Sequence, residues 1–117
     1  MAAAPHPPLP AEFLHRVAEV FRVLGDPSRL QILQMLMTGP QTVSQVVTAT
    51  GMGQANVSKH LGVLAATQLV SRTKQGTQAI YEVADPLVYK LCDLVCGSVR
   101  ARLQAQLKTT RQILQRT

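Results

Sequence analysis

The chain contains two cysteines, Cys92 and Cys96, four positions apart in a segment with helical spacing. Residues at i and i+4 lie on nearly one face of an α-helix, with Cβ atoms roughly 5–6 Å apart. A disulfide needs Cβ atoms about 3.5–4.5 Å apart, so an intrahelical bridge would require the helix to distort. A soft metal or metalloid ion, or a bridge of extra sulfur atoms, could span the pair more easily. Lys90 and Arg100 are close enough in sequence to favour the thiolate form.

The same pair also has a purely structural interpretation. Cysteine behaves as a small buried hydrophobe, and both positions fall on or beside an apolar seam. Two hypotheses therefore stay open. In one, Cys92 and Cys96 sense a soft metal or metalloid ion, an oxidant or reactive sulfur, with four sulfurs converging if two copies of the helix pair. In the other they only pack, and the protein has neither metal nor thiol sensing and no cofactor.

An enzymatic role is not indicated by the residues. The Cys-x-x-x-Cys spacing differs from the redox motif Cys-x-x-Cys. No Ser/His/Asp constellation, phosphate-binding loop or carboxylate pair is evident in the sequence. We therefore predict that the protein is not an enzyme.

A helix predicted at about 54–67 presents residue types suited to contact with a nucleic acid. Its apolar stripe is Val57, Leu61 and Leu64. The opposite face carries small residues and one lysine: Ala55, Ser58, Lys59, Gly62 and Ala66, with Asn56 at its flank. Small side chains let a helix backbone approach another surface closely, such as the floor of the DNA major groove. The alternative is an ordinary packed helix with few charges.

Individual residues of this helix suit particular contacts. Gln54 and Asn56 lie in the first turn, and their amides can contact adenine bidentately. Lys59 and the helix N-terminus suit phosphate oxygens. His60 lies beside the apolar stripe, so it is as compatible with a partly buried packing role as with a DNA contact. A metal role for His60 is disfavoured, because no second histidine or acid stands three or four residues away.

Two further bases lie on a β-hairpin that follows this helix. The strands are predicted at 69–73 and 78–83, with the turn at 74–77. Arg72 and Lys74 are candidate phosphate contacts, and the alternative is that they are solvated strand charges. Arg29, in the first turn of an earlier helix, is expected to be a structural ion-pair partner.

Helical spacing and cap signals indicate the remaining elements. Asp26-Pro27 and Asp85-Pro86 are helix-start signals, and Thr42 with Gln45 forms a capping box. The predicted buried stripe of the second helix is Leu30, Leu33, Leu36 and Met37. The predicted helices lie at about 12–24, 27–38, 43–50, 54–67 and 86–115. The fold class is thus mostly α with a small β-hairpin (α+β), a winged helix-turn-helix.

The two ends of the chain have distinct predicted roles. Residues 1–10, with four prolines, are predicted to be a disordered Pro/Ala-rich arm, and residues 11–117 a winged helix DNA-binding and dimerisation domain. The last helix carries a coiled-coil-like seam: Val88, Cys92, Val95, Val99 and Leu103. A lone helix of that length needs a partner, so we expect this seam to be a dimer contact.

Charge and composition limit the class of partner. The net charge is +6, which favours a polyanion such as DNA or an acidic membrane surface. Aromatic residues make up only 3% of the chain, which argues against single-strand binding by base stacking. The sequence has neither a secretory signal nor a long apolar run. We therefore predict a cytoplasmic protein with no membrane contact and reduced cysteines.

Two stretches resemble a known family. They are Phe21 to Leu33, which reads FRVLGDPSRLQIL, and Asn56 to Leu64, which reads NVSKHLGVL, followed by the hairpin from Leu69 to Tyr81. Together, over roughly residues 12–96, the chain resembles the ArsR family of winged-helix repressors. The resemblance implies a homodimer joined by the first and terminal helices. It also implies binding to a double-stranded DNA operator, expected to be palindromic, and release when an inducer binds.

Several inducer sites of that family are missing from this sequence. Residues 42–50 lack the Cys-x-Cys of one group of metal sensors. Residues 86–117 contain no histidine, so the terminal-helix zinc site looks absent. Residues 27–38 hold no cysteine to pair with one in the terminal helix, as sulfur sensors do. The predicted β-hairpin, which corresponds to the wing of the family, has Thr77-Gln78 where many members carry a basic residue.

Overall fold

In a computed structural model that describes residues 6–117, the chain forms five helices and three short strands within that range. In chain order they are α1 (Ala11–Leu24), α2 (Pro27–Leu36), β1 (Gln41–Thr42), α3 (Val43–Thr50), α4 (Gln54–Ala66), β2 (Val70–Gln75), β3 (Gln78–Val83) and α5 (Leu87–Gln115). The mostly helical fold with a hairpin, predicted from the sequence, is confirmed.

The chain divides into two compact units, one ending at Ala84 and one running from Asp85 to Thr117. The first contains α1 to α4 and the sheet, and the second consists of α5. Of the predicted disordered arm, residues 1–5 lie outside the described residues, and residues 6–10 form neither helix nor strand. The disorder of the arm and the extent of the predicted domain stay predictions.

The helix-start signals of α2 and α3 work as predicted. The Asp26 carboxylate accepts a hydrogen bond from the backbone N–H of Arg29 at 3.0 Å. Thr42 and Gln45 close a reciprocal capping box, with bonds of 3.2 and 2.8 Å. Gly51 ends α3 in the left-handed conformation, with φ 74°, which glycine adopts without steric cost. These local signals set where α2 begins and where α3, the first helix of the helix-turn-helix, begins and ends.

The core of the first unit is assembled from every one of its elements except β1. Its buried apolar side chains are Val23, Ile32, Leu33, Leu36, Val46, Val57, Leu61, Leu64, Leu69, Val70 and Tyr81. The predicted stripe of α2 is partly wrong. Leu30 is 50% exposed and Ile32 is fully buried. The buried side of α2 is centred on Ile32, Leu33 and Leu36, and Leu30 lies about 200° around the helix from Ile32.

The sheet has one strand more than predicted. Its order is β1-β3-β2, antiparallel throughout, with Gln41 opposite Tyr81 and Thr42 opposite Ile80. Two residues are too few to show an alternating pattern, so β1 left no sequence signal. The hairpin turn is also tighter than predicted, because β2 extends through Lys74 to Gln75.

α5 is a single unbroken helix of 29 residues, which Gly97 does not interrupt. The Asp85 carboxylate accepts a hydrogen bond from the backbone N–H of Leu87 at 2.9 Å, but the N-cap is Pro86, so the start of α5 lies one residue later than the Asp-Pro signal predicts. Large apolar side chains of α5 are exposed in the single chain: Leu94, Val95, Val99, Leu103, Leu107, Ile113 and Leu114. α1 likewise exposes Phe13, Leu14 and Phe21. Such surfaces are typical of interaction sites.

A matched pair of leucines on α2 tests the corrected core. We expect Leu36→Ala, at a position only 1% exposed, to lower the free energy of unfolding by about 2–5 kcal/mol, because it leaves a cavity. We expect Leu30→Ala to cost about 0.5 kcal/mol or less, as at other surface positions. Urea unfolding at one fixed protein concentration measures both. Equal losses for the two variants would contradict the assignment.

Candidate DNA interface and thiol pair

The outer face predicted for α4 is solvent-exposed. Val57, Leu61 and Leu64 are each 0% exposed, so the rotation of α4 about its axis is fixed by its buried stripe. All seven residues of the opposite face and its flank are exposed: Gln54, Ala55, Asn56, Ser58, Lys59, Gly62 and Ala66. The helix therefore presents a shallow surface with amides at its start and one cation. A role for these residues in DNA contact stays a prediction.

Two further features keep this face open. Within residues 6–117, no side chain caps the start of α4 after Gly53, so the first backbone N–H groups are free for an external acceptor. The positive end of the helix dipole adds to their attraction for an anion. A Cβ built on Gly62 would meet no heavy atom within 4 Å. Packing among residues 6–117 therefore does not require a glycine at position 62.

His60 does not belong to the exposed face. It is 8% exposed, and its Nδ1 lies 3.4 Å from Nη1 of Arg29. His60 stands three residues after Val57 and four before Leu64, which puts it on the buried side of the helix. This spacing is visible in the sequence. Burial therefore supports the packing interpretation of His60 over a DNA contact.

Arg29 has different partners from the ion pair expected of it. Its Nε donates to the main-chain oxygen of Val23 at 2.7 Å and its Nη2 to that of Arg22 at 3.4 Å. Across the part of the chain that the structure describes, the ion pair is the exposed one between Arg22 and Glu19. The backbone N–H of Arg29, and then its charge, hold the pKa of the Asp26 carboxyl below its usual range. Arg29 is thus a structural residue, bonded to the end of α1.

The hairpin bases lie on one side of the wing. Arg72 and Lys74 are exposed and two residues apart in β2, so their side chains share a face. They stand opposite Tyr81 and Ala79 of β3. Lys74 lies within the strand and not in the turn, where it was predicted. The wing continues directly from α4, since the N–H of Leu69 donates to the main-chain oxygen of Leu64 at 3.2 Å.

Cys92 and Cys96 carry free thiols on one face of α5. Their sulfurs are 3.5 Å apart, with Cys92 half-buried and Cys96 exposed. Their shared hydrogen bond, then burial, then the charges of Cys96 and Asp93 raise the pKa of the Cys92 thiol. The thiolate-favouring effect expected of Lys90 and Arg100 is therefore wrong for Cys92. At neutral pH the protonated thiol is the favoured form.

The sulfur pair fits part of a soft-metal site. Metal–thiolate bonds of about 2.3 Å let one ion contact two sulfurs at this separation. No cluster of three or more His, Cys, Asp or Glu side chains suited to a metal occurs among residues 6–117. One copy of the chain thus offers two ligands. In the same range, no helix is both long enough and apolar enough to cross a membrane.

The sequence is similar to bacterial regulators. Residues 26–72 match the family model for bacterial regulatory proteins of the arsR family. Over 74 residues, 63% of the chain, it is 39% identical to a probable mercury resistance operon repressor from Streptomyces lividans. The match spans 59% of that repressor's length. Over 89 residues, 76% of this chain and 74% of the relative, it is 37% identical to the HTH-type transcriptional regulator NmtR from Mycobacterium tuberculosis.

A solved structure shares the fold. It is the homodimeric winged helix-turn-helix DNA-binding domain, fragment 1–100, of Mb0332 from Mycobacterium bovis, a possible ArsR-family regulator. The TM-score is 0.72 at 34% sequence identity, over 84% of this chain and 91% of that one. The winged helix-turn-helix architecture predicted from the sequence is confirmed.

The raised pKa of Cys92 can be tested by alkylation. We expect Cys96→Ala to lower the pKa of Cys92 toward its usual value, because the largest cause of the shift is removed. At any pH below the wild-type value, more thiolate is then present and alkylation is faster. The rate of iodoacetamide reaction at Cys92, followed by mass spectrometry from pH 6 to 10, measures the midpoint. An unchanged midpoint would refute this cause.

Proposed function

Because the chain belongs to the ArsR family of bacterial regulatory proteins, we propose that it is a homodimeric transcriptional repressor that binds a palindromic DNA operator and is released by an inducer. Its relatives are transcriptional regulators and not enzymes. The observation that carries the proposal is the exposed, small-residue face of α4, directly opposite a fully buried stripe.

The chemistry of this face suits the major groove of duplex DNA. Ala55, Ser58 and Gly62 leave the helix backbone accessible, so α4 can approach base edges closely. Gln54 and Asn56 at the start of the helix can contact bases, as first-turn residues do in helix-turn-helix proteins. Lys59 and the uncapped N–H groups suit the phosphates on either side. Binding to an acidic membrane would instead favour large apolar side chains next to the basic residues, and the outer face of α4 has no large apolar side chain.

We propose that the wing extends this DNA-binding surface. Arg72 and Lys74 project from one face of β2, and the wing is bonded to the end of α4. We assign both side chains to phosphate contacts next to the site of base reading. A protein in this role works in the cytoplasm, with the DNA.

A dimer accounts for the apolar surfaces that one copy leaves exposed. Phe13, Leu14 and Phe21 on α1 are 48–62% exposed, and α5 carries an apolar stripe along its length. The similar domain of Mycobacterium bovis is homodimeric. A twofold dimer would present two copies of α4 to half-sites about one helical turn apart.

The inducer is proposed to act at Cys92 and Cys96. Their sulfurs are 3.5 Å apart and one of them is exposed, and a relative is a probable mercury resistance repressor. We propose a soft metal or metalloid ion as the ligand, with the pairs of two copies completing a thiolate site. Each sulfur that binds the ion releases its proton. The alternatives are reactive sulfur or an oxidant, and a regulator whose cysteines only pack.

Selection of duplex DNA from a random pool tests the repressor proposal. We expect a palindromic sequence to be enriched. Asn56→Ala should lower discrimination at one base position by about 1–3 kcal/mol. Lys59→Gln should weaken all sequences alike and reduce the slope of log K against log salt by about 1. Fluorescence anisotropy measures both. If no sequence is enriched and the protein binds any duplex in a salt-sensitive way, the protein is instead a non-specific DNA-binding protein.

The thiol proposal is tested on the selected duplex with a Cys92→Ser, Cys96→Ser double variant. We expect arsenite, cadmium, zinc or polysulfide to release wild-type protein in at least one case and to leave the double variant bound. Without any agent, both proteins should bind equally. A double variant that responds like wild type would exclude sensing by these thiols, and a response to polysulfide alone would replace the metal ion by reactive sulfur.

A further inference from the structure

We infer that Arg29 and His60 are positioning residues for DNA binding: their contact ties the last turn of α1 to the inner face of α4 and fixes where the outer face of α4 stands. Neither residue touches DNA in this assignment. The inference rests on the proposed function, because it concerns how the recognition helix of that function is held.

The Arg29 guanidinium connects three helices. It belongs to α2, it donates to the main-chain oxygens of Val23 and Arg22 at the end of α1, and its Nη1 lies 3.4 Å from Nδ1 of His60 in α4. The last carbonyl groups of a helix lack partners within the helix, and a cation there also interacts favourably with the helix dipole. The planar guanidinium offers several donors in a fixed geometry, so one side chain can serve both helices at once.

The contact defines the tautomer of His60. Arginine can only donate hydrogen bonds, so Nδ1 of His60 must be the acceptor and the ring proton must be on Nε2. His60 is 8% exposed, so loss of Arg29 would leave its Nδ1 without a partner in a largely buried place. Unpaired buried polar atoms are costly, and α4 would have to shift for Nδ1 to find another donor.

The neighbours of His60 make such a shift relevant to DNA. Lys59, the adjacent residue, and Ser58 are exposed on the outer face. Because α4 is a rigid helix, a change at His60 moves both. On the other side of the link, α1 exposes Phe13, Leu14 and Phe21, the surface proposed above as a dimer contact. The Arg29–His60 contact thus connects the helix that carries that surface to α4.

Two pairs of variants separate positioning from simple packing and from direct contact. His60→Asn keeps an acceptor near the place of Nδ1, whereas His60→Leu keeps the bulk and removes the acceptor. Arg29→Lys keeps the positive charge but lacks the planar group that contacts both the end of α1 and His60. Arg29→Gln removes the charge. Lys59→Gln is the control for a true phosphate contact.

The first measurement is affinity for the duplex that wild-type protein selects, over a range of salt concentrations. We expect Arg29→Gln and His60→Leu to weaken binding about tenfold, by loss of a hydrogen bond with a charged group, with the salt slope unchanged. His60→Asn should recover most of the affinity. A salt slope reduced by about 1 in Arg29→Gln, as in the control, would overturn the inference in favour of a phosphate contact. Equal binding by His60→Asn and His60→Leu would also overturn it.

The second measurement does not depend on DNA. Nitrogen-15 spectra of the wild-type imidazole should show the Nε2–H tautomer of His60. In Arg29→Lys, chosen as the variant least disruptive to folding, we expect that signature to change and the amide signals of Gln54 to Ala66 to move. Movement confined to the end of α1 would overturn the inference. If wild-type protein selects no duplex, the proposed function fails, and the spectra still decide whether Arg29 holds α4.

Discussion

The burial of three side chains on α4 is the constraint on which the rest of the structure depends. Val57, Leu61 and Leu64 have no exposed surface, and their spacing puts them on one side of the helix. Once that side is fixed inward, Ala55, Ser58 and Gly62 must face solvent. The DNA-binding proposal therefore follows from the packing of an apolar stripe, and it does not require any unusual residue on the outer face.

The buried stripe fixes the rotation of α4 about its axis but not its position. Several main-chain and side-chain hydrogen bonds hold the helix in place. Arg29 connects the inner face of α4 to the end of α1. At the C-terminal end of α4, the N–H of Leu69 donates to the main-chain oxygen of Leu64, and the N–H of Ala84 donates to that of Leu69 at 3.0 Å. The first basic residue of β2, Arg72, lies only three residues after Leu69. α4 is thus held by a side-chain contact at its middle and is connected to the wing by main-chain bonds at its C-terminal end.

The sequence predicted those features that depend on local signals. The capping box at Thr42, the Asp26 cap and the stripe of α4 each involve residues within a few positions of one another, and all are observed. Contacts between distant segments were not predictable in this way. The sequence predicts a carboxylate as the partner of Arg29. No residue pattern indicates that Arg29 instead bonds to main-chain oxygens in the last turn of α1. The interior position of His60 had a local signal, its spacing from Val57 and Leu64, but the residue type suggested an exposed role equally well.

The remaining differences between the sequence-based predictions and the structure arise from the surroundings of particular side chains. Which side of α2 is buried depends on what packs against it, so the periodic leucines alone placed Leu30 wrongly inside. The acidity of Cys92 depends on its nearest neighbours in space. The nearby bases suggested a thiolate, yet Cys96 and Asp93 are the groups that act on it, and they raise its pKa.

The protonated state of Cys92 links the proposed sensor to the proposed dimer. The Cys92 thiol must give up its proton before its sulfur can bind a cation, and its pKa is raised, so we expect the proposed ion binding to become stronger as the pH rises. Two sulfurs are also fewer ligands than soft ions usually take in a closed site. The missing ligands are most simply supplied by the same helix of a second copy, because the exposed apolar residues Val95 and Val99 stand beside the pair on α5. In this proposed arrangement the surface that joins two copies would also bind the ion, so an ion bound there would act on the dimer directly.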